Sequence, residues 1–205
     1  MTQTVEISEI GQPTIEIARL FPKQGEWTEA DYFRLPETNR IVELSEGRLT
    51  ITPSPTSQHQ RILGRLHLLL GNYIYAKQLG EIVMSPMDTR LCEGKIRQPD
   101  IEFMSNEHLD RITEELWGIP DLVVEILSEG TAKTDKEEKY LEYQTAGVLE
   151  YWIVDPFKGS IEVYTLEKGA YKLFGKWGAG EIARSKLLDG FEVNIDEAVY
   201  QSGQG

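Results

Sequence analysis

Residues 120–156 read PDLVVEILSEGTAKTDKEEKYLEYQTAGVLEYWIVDP, and the fold is decided there. The run Leu122-Val123-Val124-Glu125-Ile126-Leu127 is apolar on both faces of a strand, as a central strand covered on both sides should be. Thr134 and Glu137 have capping-box spacing, and Gly147 is placed to end the helix they would open. LEYWIVD then reads as another strand, closed by the Asp155-Pro156 turn. One residue does not suit the pattern. Strand alternation puts Glu125 on the same face as Val123 and Leu127, where an unpaired carboxylate is costly. It must be protonated, paired with a cation or bound to metal; a buried Glu–Arg or Glu–Lys bridge, or a strand end that reaches water, would also satisfy it.

Outward from this segment the chain is well punctuated. Thr28 precedes a short helix over EADYFRL, and IVEL and RLTIT form two strands around a Ser45-Glu46-Gly47 turn. Pro53-Ser54-Pro55 breaks that pattern, and a long helix follows from about Ser57 to Gln78. Its residues Ile62, Leu63, Leu66, Leu69, Leu70, Tyr73 and Ile74 make one apolar stripe, and Gly80 is a plausible stop. EIVM, RQPDIEFM and PDLVVEIL read as strands, with a short helix over Glu107–Glu115 between the last two. SIEVYTL and AYKLFGKW follow as strands joined at Lys168-Gly169, and FEVNI adds another. The order gives a mixed α/β (α+β) fold, a central mixed β-sheet flanked by helices. Residues 1–25 read as an N-terminal arm, 26–200 as a single domain and 201–205 as a disordered tail.

Composition bounds the function. With 205 residues, 40% of them hydrophobic, the chain can bury a core without disulfide or structural metal, and its single cysteine, Cys92, permits neither a disulfide framework nor a cysteine-based zinc site. No secretory signal and no apolar run of membrane-spanning length is visible, so the expectation is a soluble, cytoplasmic protein. No phosphate-binding glycine loop is present. The formal charge of −13 repels a polyanion at long range, so a nucleic-acid reading must rest on local features.

Asp100 is one such feature. It lies in Arg97-Gln98-Pro99-Asp100-Ile101-Glu102-Phe103, and Pro99 marks the first position or the edge of a strand. Two carboxylates on adjacent strand ends, Asp100 and Glu125, would form a hard oxygen site suited to Mg2+ or Mn2+. A turn aspartate capping nearby amides is the plainer reading of Asp100, and Asp121 after Pro120 repeats the same dipeptide. On the following helix Lys136, Lys139, Tyr140 and Tyr143 share one face, so Lys139 points toward the sheet if the tyrosines pack on it. It could orient a water and neutralise charge on a phosphoryl group, or simply be a solvated lysine paired with Asp135 or Glu142. Gln58, His59, Arg61 and Arg65 form a polar, partly basic cluster on the first turns of the long helix, able to face a phosphate backbone.

Pro-Asp, a glutamate within an apolar strand and a following lysine resemble the PD-(D/E)XK nuclease superfamily, the restriction-endonuclease-like fold. The stretch 120–156, with IVELSEGRL, Pro-Ser-Pro before SQHQRILGRL, and RQPDIEFM, resembles more closely the Uma-two family of restriction-endonuclease-like proteins, over about Thr28 to Phe191. The resemblance implies that Asp100 and Glu125 bind a metal ion. The superfamily's usual lysine position falls at Leu127, which cannot serve, and the family pattern offers Lys139 instead. Glu43 matches a further acidic position of the family, as an additional ligand or as a surface glutamate. Where relatives carry Ser-Pro, this chain has Ser128-Glu129-Gly130. The implied activity is Mg2+- or Mn2+-dependent hydrolysis of DNA by metal-activated water, with Asp100, Glu125, Lys139 and Glu43 catalytic and Gln58, His59 and Arg65 on the substrate. The alternative is a nuclease-like fold kept as a binding or regulatory module. A homodimer gathering Arg61, Arg65, Lys95, Arg97 and Lys133 around one groove would reconcile DNA with the acidic balance.

Overall fold

Thr28 caps α1 (Glu29–Tyr32), the first helix among the described residues of the computed structural model, which describes residues 21–36, 38 and 40–199. The expected arm lies outside the described residues up to position 20, and so does the tail 201–205. The last residues of that arm are held: Gly25 N–H donates to Gly47 O, and Gln24 bonds the backbone of Leu49 through both N–H and C=O.

Strands β1 (Val42–Ser45) and β2 (Arg48–Ile51) pair antiparallel with Ser45 opposite Arg48, leaving Glu46-Gly47 as the turn. Both turn residues have positive φ, 50° and 66°, as a two-residue hairpin loop of this hand requires. Helix α2 (Ser57–Lys77) starts on a Thr56 cap and ends at Gln78 in the left-handed region, not at Gly80. Gly80 opens β3 (Gly80–Met84), where a Cβ would stand 2.0 Å from the Met104 carbonyl oxygen; close approach is its role.

RQPDIEFM is two strands rather than one. β4 (Thr89–Cys92) and β5 (Lys95–Arg97) form a hairpin, and after Gln98-Pro99-Asp100 the chain enters β6 (Ile101–Ser105). The helix expected over Glu107–Glu115 is a 3-10 turn over Asn106–Arg111. Then come β7 (Leu122–Ile126), α3 (Ala132–Thr134), a π-helical turn (Asp135–Lys139) and α4 (Tyr140–Ala146). Thr134 is already helical, so the helix starts earlier than the Thr134–Glu137 box implies, on reciprocal Ser128–Thr131 hydrogen bonds. Gly147 ends it with φ 97°. β8 (Glu150–Asp155), β9 (Ser160–Glu167), β10 (Ala170–Trp177), β11 (Ile182–Arg184), β12 (Glu192–Asn194) and α5 (Ile195–Ala198) complete the described chain.

Among the described residues the main sheet has the order β10-β9-β8-β7-β6-β3, with only β7 and β8 parallel. A smaller antiparallel sheet, β2-β1-β5-β4, stands beside it, and β11 pairs with β12. On one face of the main sheet Val124, Ile126, Trp152 and Val154 pack against Ile62, Leu66, Leu70 and Ile74 of α2. On the other, Val123, Tyr151 and Ile153 meet Tyr143 and Val148. Burial on both faces explains why β7 and β8 are almost continuously apolar. The mixed sheet flanked by helices is as the sequence predicts. Glu150 is a structural exception in β8: it is fully buried, and its carboxylate accepts from Trp152 Nε1, Ser185 Oγ and the N–H groups of Lys186 and Leu187 at 2.6–2.8 Å.

Candidate active site

β6 and β7 run antiparallel with Ile101 opposite Val124, so Asp100 precedes β6 at the position next to Glu125 across the ladder. Asp100 Oδ2 accepts from Ile126 N–H at 2.7 Å and lies 3.2 Å from His59 Nε2, at the start of α2. It therefore caps an amide, as the plainer reading held, while also standing beside Glu125.

Lys139 reaches the same point from the π-helical turn. Its ammonium is 2.9 Å from Glu125 Oε1, 3.0 Å from Glu43 Oε1 and 3.6 Å from Asp135 Oδ1. Tyr143, one turn further on, donates to Glu125 Oε1 at 2.7 Å. Lys139 is only 6% exposed and Asp135 1%, which sets aside the solvated-lysine reading. Glu43 is buried too, not a surface glutamate. Its carboxylate accepts from Gln98 N–H at 3.1 Å and from Arg97 at 3.2 Å as well as from Lys139. Its position follows from β1: the burial pattern there is continuous because one face meets its own small core and the other the site.

The charges do not balance in this cluster. Burial pushes the Glu125 carboxyl well up, and Asp135, Asp100 and Glu43 add to that against the opposing Lys139. Burial raises Asp135 as well, with Lys139 and Thr131 opposing it. Burial also acts against Glu43, but Lys139, Arg97 and the Gln98 amide outweigh it and hold that carboxyl low. Desolvation works against charge on Lys139, yet Glu125, Glu43 and Asp135 keep it firmly protonated.

These groups line a cavity of about 500 Å3, together with Gln58 and His59. Arg65 is partly buried further along α2 and is not among the lining residues. Asp135 is the site residue that sequence reading misses. The signal was its i,i+4 spacing to Lys139, which reads as an ordinary solvated pair. Two expectations need correction. Arg97, assigned to a DNA-facing groove, is 1% exposed and ion-paired with Glu43, Glu138 and Glu142. Lys95, assigned there too, is paired with Glu46 and Glu142. Asp121 is structural: it accepts from Ser105 N–H and contacts His108.

Among the described residues no three His, Cys, Asp or Glu side chains are arranged so that they could hold a metal ion as they stand. The donor chemistry nevertheless fits a hard divalent cation. Asp100, Glu125 and Asp135 offer carboxylate oxygens to one cavity, Asp135 Oδ1 is buried without a hydrogen-bond partner, and one lysine leaves excess negative charge.

The sheet, its flanking helices and the strand-end carboxylates define the class: a nuclease-type α+β fold. The same fold occurs in the crystal structure of "a putative nuclease belonging to DUF820" from Anabaena variabilis, with a TM-score of 0.72 and 18% identity over 84% of this chain and 97% of that one. The model of the Uma2 family, described as "Putative restriction endonuclease", matches residues 29–196, and the chain belongs to that family. No curated protein matches it. No helix among the described residues is long and apolar enough to cross a membrane.

Proposed function

We propose that the protein is a metal-dependent nuclease that hydrolyses phosphodiester bonds of DNA. The observation that carries this is the convergence of Asp100, Glu125, Asp135 and Lys139, from a strand start, a central strand and one helical segment, on a single cavity. Asp100, Glu125 and Asp135 would hold Mg2+ or Mn2+. When bound, the ion supplies a Lewis acid at the phosphoryl group and makes a nearby water more acidic.

The protein's own residues supply the rest. Lys139 orients the attacking water and offsets charge that develops on the phosphoryl oxygens, worth most in a site shielded from bulk solvent. Glu43 fixes Lys139, and Arg97 fixes Glu43; with its carboxylate already accepting three bonds, Glu43 is a positioning residue rather than a ligand. Tyr143 holds the rotamer of Glu125. His59, beside Asp100, and Gln58 line the same cavity and would contact the phosphate.

Cleavage of several unrelated DNAs at low salt in Mg2+ or Mn2+ tests the reading. Asp100→Asn and Glu125→Gln should each lower the rate by about two to three and a half decades, equivalent to roughly 3–5 kcal/mol of transition-state stabilisation. Lys172→Ala should be silent, since Lys172 is 63% exposed on β10 and does not line the cavity. Equal activity in wild type and Asp100→Asn would refute the proposal.

A further inference from the structure

The cavity also has apolar lining that the hydrolytic chemistry does not use. Phe157 is part of it and is 61% exposed, a large aromatic ring in water. Ile41, Pro53 and Pro55 add to the apolar lining. The ring is presented on a fixed turn: Asp155 Oδ1 accepts from the N–H groups of both Phe157 and Lys158 at 3.1 Å. Asp155 Oδ2 draws in two cations beside it, Lys136 at 3.3 Å and Lys158 at 3.8 Å. An exposed aromatic ring whose turn holds two lysines, lining the same cavity as buried carboxylates, matches a base with its phosphates.

We propose that Phe157 is a base-stacking platform and that the cavity takes one unpaired nucleotide of a strand. The substrate is then single-stranded or locally opened nucleic acid rather than intact duplex. This rests on the nuclease reading and narrows its substrate. Three observations support it. The reactive groups Asp100, Glu125 and Lys139 are 4–6% exposed, so the scissile phosphate must enter the cavity rather than lie across a flat surface. Its volume of about 500 Å3 falls within the roughly 300–1,000 Å3 of small-ligand sites and suits a nucleotide, not a duplex. A chain of charge −13 gains little from counterion release along a duplex, whereas stacking on an aromatic ring adds roughly 1–3 kcal/mol per base that does not come from charge.

The test compares wild type with Phe157→Ala, Phe157→Leu and Phe157→Trp, all at an exposed position that leaves the core untouched. Initial cleavage rates are read in millimolar Mg2+ on a single strand and on the duplex of the same sequence. Binding is read separately by quenching of 2-aminopurine fluorescence in the single strand. The expected result is a clear preference for the single strand, a KM raised about tenfold by Ala or Leu with kcat nearly unchanged, and retention by Trp. Equal cleavage of duplex, with Phe157→Ala silent, overturns the subsite and leaves the nuclease reading standing. If nothing is cleaved, the nuclease reading fails. Quenching lost in Phe157→Ala would then still support the platform, and no quenching would overturn it. A mononucleotide that competes as well as the strand would assign the cavity to free nucleotides and overturn the polymer.

Discussion

Lys139→Met removes the cation at the centre of the carboxylate cluster while keeping most of the side-chain volume. The ammonium lies 2.9, 3.0 and 3.6 Å from three buried carboxylates. At an effective dielectric of about 20, each such contact is worth roughly 5 kcal/mol before desolvation is subtracted. Removing one partner of a buried pair typically costs about 3–5 kcal/mol net, because the other is left buried and charged. For a chain of this length that is a drop of roughly 6–20 °C in melting temperature. The loss depends on pH. Glu43 is held low by Lys139 and Arg97, so it stabilises the fold above its unfolded value, and the variant gives up part of that hold. Glu125 and Asp135 are already raised, so they oppose folding as pH climbs past their unfolded values, and more so without the lysine. The gap between variant and wild type should therefore be wide at pH 8 in EDTA and narrow at pH 5. A divalent ion can take the place of the missing charge, so Mn2+ should stabilise the variant by about 3 kcal/mol at a hundredfold excess over its Kd, and wild type by less at the same concentration. Denaturant melts at the two pH values, with and without Mn2+, read all of this. A variant as stable as wild type at pH 8, or a gap indifferent to both pH and metal, would refute the electrostatic account.

Two further outcomes follow from buried carboxylates elsewhere. Burial pushes Glu102 up to about 8, Asp88 adding to it and the Thr89 hydroxyl opposing, so its charged form works against folding as pH rises from about 4.5 through 8. Glu102→Gln should be near neutral at about pH 4.5, grow steadily more stabilising up to about pH 8 and level off above it in thermal melts; a constant difference between those pH values would contradict it. Glu150→Ala leaves four donors without an acceptor, two of them fully buried, and should cost more than about 3 kcal/mol in urea unfolding, whereas Glu167→Ala, on exposed lysine pairs, should be nearly silent.

Most of the fold is legible because burial writes itself into the sequence. β7 and β8 read correctly since both faces meet apolar layers, and α2 because one stripe of it does. The β4–β5 hairpin does not read. Its strands are four and three residues long, and Thr-Arg-Leu-Cys and Lys-Ile-Arg carry charges whose partners, Glu29, Glu43 and Glu142, come from distant segments. β11 is equally short and paired only with β12. In the site, Glu125 is visible as a charge out of place in an apolar strand. Asp135 is invisible for the opposite reason. It sits in TDKEEK, where every neighbour is charged and nothing marks one carboxylate as the buried one.

The displaced lysine makes physical sense of that segment. Two positions after Glu125 the strand has ended, and Leu127 is buried against Tyr143 and Val148 on the same face. A lysine there would have to share its place with that core. Carried instead by the helix, the ammonium arrives over Glu125 from the opposite side, and the tyrosine one turn on reaches the same oxygen. The π-helical turn falls on Asp135–Lys139, the residues that contribute a carboxylate and an ammonium to the site, a placement common for such distortions at functional sites. Local helix regularity is given up where two side chains four residues apart must enter one cavity. Under the proposed function the acidic surface would matter less than the overall charge suggests, because a phosphate would meet the groups inside the cavity.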